Sequence, residues 1–383
     1  MLERSGLREV VYDKGEFSLR AKGTEATMFL SNAYSDYCNA PSTQKAAGVE
    51  RYVKGFLQRS GNVPKTLQEL KSQLKPVVRD AAFFSLTELK LRTDGKKAGT
   101  LEIPTKLLAP GLRAGLARDT EHAIEYVNRG TLENWDLTFD EAFAIAVENL
   151  RNRTTKEGLR EVHAGLYASQ YGDSYDTSRL LLPEVLENLE IEGDPIVFMP
   201  NRDQLWVTGD RNASATGAML KDGEESHFNL GHSLSGELYK WSDGAWCLYL
   251  PSDEEQREKC LAMRRRRAGM DYGQQAGYLN KIHERNQIDV FVASMLLFKR
   301  KEGSFNLCMW AKGVDSLLPK AEIVALATTK NKEDQILVPW DALVRVLGAL
   351  MEEQPELAPV RYRVRRFPDA TQFEELRRVA LQP

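Results

Sequence analysis

Asp80, Glu88 and Lys90 are residue types that can hold a metal ion and an attacking water. They fall in "KPVVRDAAFFSLTELKLRTDGKKAG", residues 75–99, where apolar runs predict strands closed by an exposed basic turn. Strand alternation over 86–92 turns Glu88 and Lys90 to the same side. With an aspartate eight residues earlier, this is the set used by Mg²⁺-dependent nucleases: carboxylates hold the cation and the lysine helps position water. The plainer account is a solvated strand face, because a chain with 28% charged residues contains many accidental Glu-x-Lys triplets.

Two arginine groups invite a second chemistry. Arg264, Arg265, Arg266 and Arg267 are consecutive, and "APVRYRVRRF" reads as a strand with Arg361, Arg363 and Arg365 on one face and Tyr362 and Val364 on the other. Brought together they would form one basic surface for nucleic acid or another anion, with steep salt dependence. "SDEEQREKCLAMRRRRAG" also has a structural explanation. Acids at 253–258 open a helix, arginines close it and Gly269 caps it, as the macrodipole favours. His227 and His232, in "HFNLGH", lie five apart, whereas helical zinc pairs sit four apart. No third ligand stands nearby, so they read as surface histidines and no metal is expected.

"DPIVFMPNRDQLWVTGD", residues 194–210, places Pro200-Asn201-Arg202-Asp203 between two apolar runs. Proline presets a turn, and asparagine and aspartate bond their own backbone, so the segment predicts a hairpin turn. Asn201, Arg202, Asp203 and Trp206 remain candidates for recognition, since loops on rigid hairpins carry binding residues.

The elements that must position these residues are legible in outline. Residues 1–24 read as a flexible N-terminal arm, "TMFLSNAYSDYCNAP" as a strand entering a helix, and "GVERYVKGFLQRSG" and "TLQELKSQL" as helices. Thr138-Phe139-Asp140-Glu141 is a capping box, followed by the core stripe Phe139, Ala142, Phe143, Ala146, Val147 and Leu150. "YDTSRLLLPEVLENL" reads as one helix kinked at Pro183. Hairpins follow at Ser242-Asp243-Gly244 and Lys301-Glu302-Gly303, "AEIVALAT" adds a strand, and "PWDALVRVLGALMEEQ" is an amphipathic helix. The fold class is therefore α+β, with antiparallel sheets built from hairpins and packed against amphipathic helices. The expected divisions are the arm, an α+β domain over 25–135, a helix-and-hairpin domain over 136–330, and a C-terminal helix and strand over 331–383.

The 383 residues are 42% hydrophobic with a formal net charge of −3, which gives no global pull toward nucleic acid or anionic lipid. Cys38, Cys247, Cys260 and Cys308 form no C-x-x-C pair, a usage that suits reduced thiols in the cytoplasm. No apolar run reaches membrane-spanning length, and the N-terminal residues carry charges where a signal peptide needs an apolar core. Dinucleotide, P-loop, nucleophile-elbow and kinase signatures are absent, so no cofactor is expected.

Four stretches, "KPVVRDAAFF", "ENWDLTFDEAFAIAVENLR", "YDTSRLLLPEVL" and "DPIVFMPNRDQLWVTGD", together resemble the YtpQ-like bacterial family, domain of unknown function 1444, over residues 27–330. The segments 211–288 and 330–383 depart from it. The resemblance implies an intracellular bacterial α+β protein and supplies no catalytic residue. The expected function is protein–protein binding, as an adaptor, accessory or immunity-type factor. Hairpin tryptophans would serve as buried anchors and arginines as orienting charges. Nuclease and nucleic-acid-binding roles are the alternatives.

Overall fold

The computed structural model describes residues 9–14, 17–21, 27–58, 64–93, 102–120, 124–229, 232–300, 303–328 and 335–381. The chain divides into two compact units, each assembled from two stretches: Met1–Arg79 with Glu102–Pro251, and Asp80–Leu101 with Ser252–Pro383. Hairpins and helices build both, and the class is α+β.

In the first unit a six-stranded antiparallel sheet has the spatial order Ala245–Tyr249, Leu238–Ser242, Pro195–Phe198, Trp206–Gly209, Leu166–Ser169, Leu159–His163. The hairpin around 200–203 sets Phe198 opposite Trp206. The next hairpin turns through Asp243 and Gly244, both at positive φ, as a two-residue turn between twisted strands requires. A second sheet pairs Leu112–Asp119 with Leu74–Asp80, Thr105–Ala109 and Ile124–Tyr126. The capping box forms as expected: Glu141 N donates to Thr138 Oγ1 at 3.3 Å and Thr138 N to Glu141 Oε2 at 2.9 Å. The helix it opens, Phe139–Arg151, buries Ala142, Phe143 and Ala146 in the main core with Leu74, Val78, Leu112 and Val197.

Two expectations for this unit change. Within the supposed arm, Val10–Asp13 and Ser18–Ala21 form a hairpin that joins Thr27–Phe29 in a three-stranded sheet, because Val10 and Leu19 pack on the cluster of Met28, Val53 and Phe56. Residues 1–8, 15–16 and 22–24 of the arm lie outside the described residues. The kinked helix expected over 175–189 is instead two short 3-10 turns, Asp176–Leu181 and Pro183–Val185. Proline disfavours the α region for the residue before it, and Leu182 sits at φ −122°, ψ 71°.

The second unit holds two four-stranded sheets and the 33-residue helix Glu254–Asn286. One sheet runs Leu296–Arg300, Gly303–Ala311, Ile323–Ala327, Gln335–Pro339; the other runs Phe291–Val292, Ser316–Pro319, Arg361–Val364, Glu352–Gln354. Most pairs are antiparallel, but 303–311 runs parallel to 323–327 and 291–292 parallel to 316–319. Turn residues 301 and 302 lie outside the described residues.

Three further corrections concern this unit. Residues 81–93 are a helix, Ala81–Thr93, where strands were expected. Ala82, Leu86 and Leu89 are buried at i, i+4 and i+7, a period that a short apolar run does not reveal unambiguously. Gly269 does not stop its helix, which continues to a left-handed Gln287 at φ 55°. Burying Tyr272, Gln275, Ala276, Leu279 and Ile282 along one side outweighs the cost of about 1 kcal/mol for a helical glycine. The unit boundaries also cut across the expected divisions. One core joins Leu70 to Trp246, and another joins Tyr272 and Met295 to Trp340 and Leu376, so neither 25–135 nor 331–383 packs by itself.

Candidate functional site

The proposed nuclease set is not assembled. Asp80 Oδ1 accepts from Ala82 N at 2.7 Å, the bond of a helix-capping aspartate. Two residues apart on the helix that follows, Glu88 and Lys90 project about 200° apart rather than side by side. Asp80 also lies within electrostatic reach of Arg267, whose charge it and Asp271 support against burial. No group of three or more His, Cys, Asp or Glu side chains among the described residues is arranged to hold a metal ion.

The arginines, which would form a basic surface if brought together, are mostly paired or buried. Arg361 is completely buried in the second unit. Its Nε donates to Gln275 Oε1 at 2.6 Å, its Nη1 to the carbonyls of Ala293 (2.8 Å) and Leu317 (3.0 Å), and its Nη2 to that of Tyr272 (3.1 Å). Burial pulls its pKa down to about 10. Arg363 forks onto Asp315 at 2.8 and 3.1 Å, and Arg365 pairs with Glu352. On the long helix, Arg265 bridges Glu258 and Glu322 at 2.8 and 3.0 Å, and Arg267 pairs with Asp271 at 2.8 Å. Arg266 is exposed and Arg264 half-buried, which leaves no continuous basic strip with the 361–365 strand.

The 200–203 segment is a turn held by its own side chains. Asp203 N donates to Asn201 Oδ1 at 3.0 Å, and Asn201 Nδ2 donates to Gln204 Oε1 at 2.8 Å. Arg202 and Asp203 pair with each other at 3.3 Å. The histidines are not surface residues. His227 is buried, with Nδ1 2.8 Å from the Pro200 carbonyl and 3.0 Å from Ser233 Oγ. His232 Nε2 lies 3.7 Å from Asp36 Oδ2, which accepts from the Tyr52 hydroxyl at 2.6 Å. Burial raises the Asp36 pKa, but these two neighbours outweigh it and hold the carboxyl below its ordinary value. The tryptophan anchors also point inward: Trp246 and Trp310 are buried, and Trp206 and Trp241 half-buried.

What the second unit leaves to solvent is aliphatic and phenylalanine surface that the sequence reading passed over. Leu296 pairs with Leu307 and Phe298 with Phe305 across the 296–300/303–311 hairpin, so these four share one sheet face. Met309, Ile323, Ala325 and Leu337 continue that face across the sheet. Leu307, Ile323 and Ala325 are buried as a small cluster, whereas Leu296 is 50%, Phe298 43% and Met309 44% exposed. The rings of Phe298 and Phe305 stack at 5.6 Å with an interplanar angle of 13°. The opposite face, with Cys308, Trp310, Val324, Leu326 and Val338, belongs to the core. An H-P-H pattern does not distinguish two apolar faces, but the run "LLF" was an available signal.

The first unit holds a buried charge cluster around "YGDSYDTSR", residues 171–179, also unmarked by any motif. Arg179 is fully buried and forks onto Asp173 at 3.0 and 2.9 Å; its Nε donates to Thr154 Oγ1 at 3.2 Å. The guanidinium lies 3.4 Å from the centre of the Tyr171 ring. That ring rests against Gly158, where a Cβ would come within 1.9 Å of it. Asp176 is buried beside this pair, accepting from Tyr171 N at 3.3 Å through Oδ1, while Oδ2 has no partner. Burial raises its pKa, and the nearby Asp173 adds to the effect.

A folded-state pKa above the unfolded value makes Asp176 a net cost once pH rises above the unfolded carboxylate range. Asp176→Asn is therefore expected to stabilise the first unit by about 1 kcal/mol near pH 7. The gain should vanish below roughly pH 4, where the aspartate is neutral in both states. Urea unfolding at both pH values reads this directly, and a destabilised variant at pH 7 would contradict it.

No family model, no curated protein and no solved structure matches this chain. No helix among the described residues is long and apolar enough to cross a membrane.

Proposed function

We propose that this is a non-catalytic cytoplasmic bacterial protein that works by docking another protein on the Leu296/Phe298/Met309 face of its second unit. The observation that carries the reading is the exposure of these three large side chains on one continuous sheet face. Contiguous apolar surface of this kind marks interaction sites on soluble proteins. Burying a leucine or phenylalanine contributes roughly 1.5–3 kcal/mol, so a partner covering this face gains affinity from few residues. The strand Leu296–Arg300 lies at the edge of its sheet. An added strand from the partner would extend the backbone ladder, and Lys299 favours an acidic rim on it. The resemblance to the YtpQ-like family, which has no established reaction, forms part of the same proposal.

The test replaces Leu296 and Phe298 together by aspartate. Both are exposed, so the melting temperature should fall by no more than a few degrees. Affinity capture from the native bacterium, quantified by mass spectrometry with and without nuclease treatment, should recover a nuclease-insensitive protein with the wild type. The double variant should lose it at least tenfold. Equal recovery by both would reject this face as the docking site. Nuclease-sensitive recovery would move the function to nucleic acid. Concentration-dependent mass in light scattering, lost in the variant, would identify the partner as a second copy.

A further inference from the structure

Four segments of the second unit meet around an open cavity of about 470 Å³. The strand Ser316–Pro319 runs into Lys320, whose backbone N–H donates to the Tyr272 hydroxyl at 3.1 Å. The helix Trp340–Leu347 starts where Trp340 N donates to the Glu322 carbonyl at 2.9 Å. Glu353 stands directly opposite Tyr362 where Glu352–Gln354 pairs with Arg361–Val364, so these two side chains share one sheet face.

The lining separates by chemistry. Trp340 and Met351 are 7% and 9% exposed and form a floor with the half-buried Tyr362, whose ring meets that of Trp340 edge-on at 5.1 Å. Lys320, Asp341 and Glu353 line the same cavity and are exposed, so they form its rim. None of the three makes an ion pair among the described residues. Asp341 lies in the first turn of its helix, where the macrodipole favours an acid. The dipole gives no reason for a second carboxylate against Tyr362, nor for a lysine left unpaired in the cavity that both acids line. Small-molecule sites combine an apolar, aromatic wall with a few convergent polar groups in 300–1,000 Å³, and this cavity has both.

We propose that this cavity binds a free α-amino acid with an aromatic side chain. The ring packs on Trp340, Tyr362 and Met351, the ammonium group donates to Asp341 and Glu353, and the carboxylate accepts from Lys320. An ammonium group carries three donors and no acceptor, and a carboxylate only acceptors, so a zwitterion needs both signs of charge at one rim. A simple amine would leave Lys320 unmatched. An apolar acid would meet two like charges. The aromatic preference follows from the floor, since a third ring adds offset or edge-on contacts to the Trp340–Tyr362 pair and the Met351 thioether packs favourably on an aromatic edge. The cavity shares no residue with the Leu296/Phe298/Met309 face, so the two sites stand or fall separately.

Three probes test it: phenylalanine, phenethylamine, which lacks the carboxylate, and 3-phenylpropionate, which lacks the amine. Each is titrated into the full chain at pH 7 and fixed ionic strength, followed by the NMR signal of the Trp340 indole N–H, assigned with Trp340→Phe. Phenylalanine should move that signal with a Kd of roughly 1 mM or tighter. Each half-probe should bind at least about threefold more weakly, the scale of one solvent-exposed ion pair. Lys320→Met should weaken phenylalanine to the level of phenethylamine while phenethylamine binds as well as before. Glu353→Gln should weaken both amines and leave 3-phenylpropionate no weaker. Both positions are exposed, so the melting temperature should not change. An unmoved Trp340 signal at about 10 mM phenylalanine would overturn the proposal. So would phenethylamine binding as tightly as phenylalanine, or Lys320→Met weakening the two equally.

Discussion

Arg361→Leu is expected to destabilise the second unit by about 3 kcal/mol, among the largest effects of any single substitution in it. The guanidinium is fully buried and makes four hydrogen bonds, none of them to a carboxylate. Two of its acceptors keep other partners. Leu317 O still accepts from Ala293 N at 3.1 Å, and Tyr272 O lies within a helix. Ala293 O and Gln275 Oε1 have no replacement among the bonds described, and each orphaned buried acceptor costs about 1–3 kcal/mol. Leucine also leaves part of the guanidinium volume unfilled, which adds a cavity cost. Against this stands the relief of a buried charge whose pKa is drawn down to about 10, so the sum stays below the simple total. Arg361→Lys should recover little, because one ammonium cannot reach acceptors on three segments at once. Urea unfolding followed by the fluorescence of Trp310 and Trp340 reads the loss. A change under 1 kcal/mol would show that the hydrogen bonds merely offset the desolvation they compensate.

The second large effect belongs to the first unit. Arg179→Met should cost about 3 kcal/mol at pH 7, since it strands Asp173 with one backbone donor, Tyr175 N at 3.0 Å, and removes the cation from the face of Tyr171. The pH dependence carries the sharper signature. Burial pushes the Asp173 carboxyl up, but the two Arg179 hydrogen bonds and its charge outweigh burial and hold it below the ordinary carboxylate value. A depressed folded pKa gives stability that is present above the unfolded pKa and lost as pH falls through the folded one. Without Arg179, burial, the largest single influence, is opposed only by the Tyr175 amide and the charge of Arg153, and the sign is expected to reverse: the carboxylate becomes a cost at neutral pH that protonation relieves. The difference between wild type and variant should therefore be greatest near pH 7 and shrink below roughly pH 4. A deficit independent of pH would assign the loss to packing instead of the ion pair.

Both arginines expose the limit of reading charge from sequence. "APVRYRVRRF" places Arg361, Arg363 and Arg365 on one strand face, which reads as solvated or acid-binding. Its neighbours decide otherwise: Ser316–Pro319 on one side and Gln275 on the long helix turn Arg361 into an interior hydrogen-bond hub, while Asp315 takes Arg363. In the same way "KPVVRD" alternates charge with valine and suggests a half-exposed strand, yet Tyr175 and Leu182 close over its charged side. Glu88 and Lys90 fail as a strand pair because Leu86 and Leu89 find buried places only at helical spacing.

The sequence by itself determined the features whose causes are local. The Thr138 capping box, the Asp243-Gly244 turn, the turn at Asn201 and the helix from Trp340 each depend on residues a few positions apart, whose hydrogen bonds and φ preferences act before any long-range contact. It also determined the α+β class, because hairpin turns and helical stripes alternate along the chain. Only the tertiary structure decided which charges are buried, which of two apolar sheet faces stays in water, and where one unit gives way to the other. Those outcomes depend on what segments far apart in sequence cover, and a periodic pattern records the faces of an element without naming the surface each will meet.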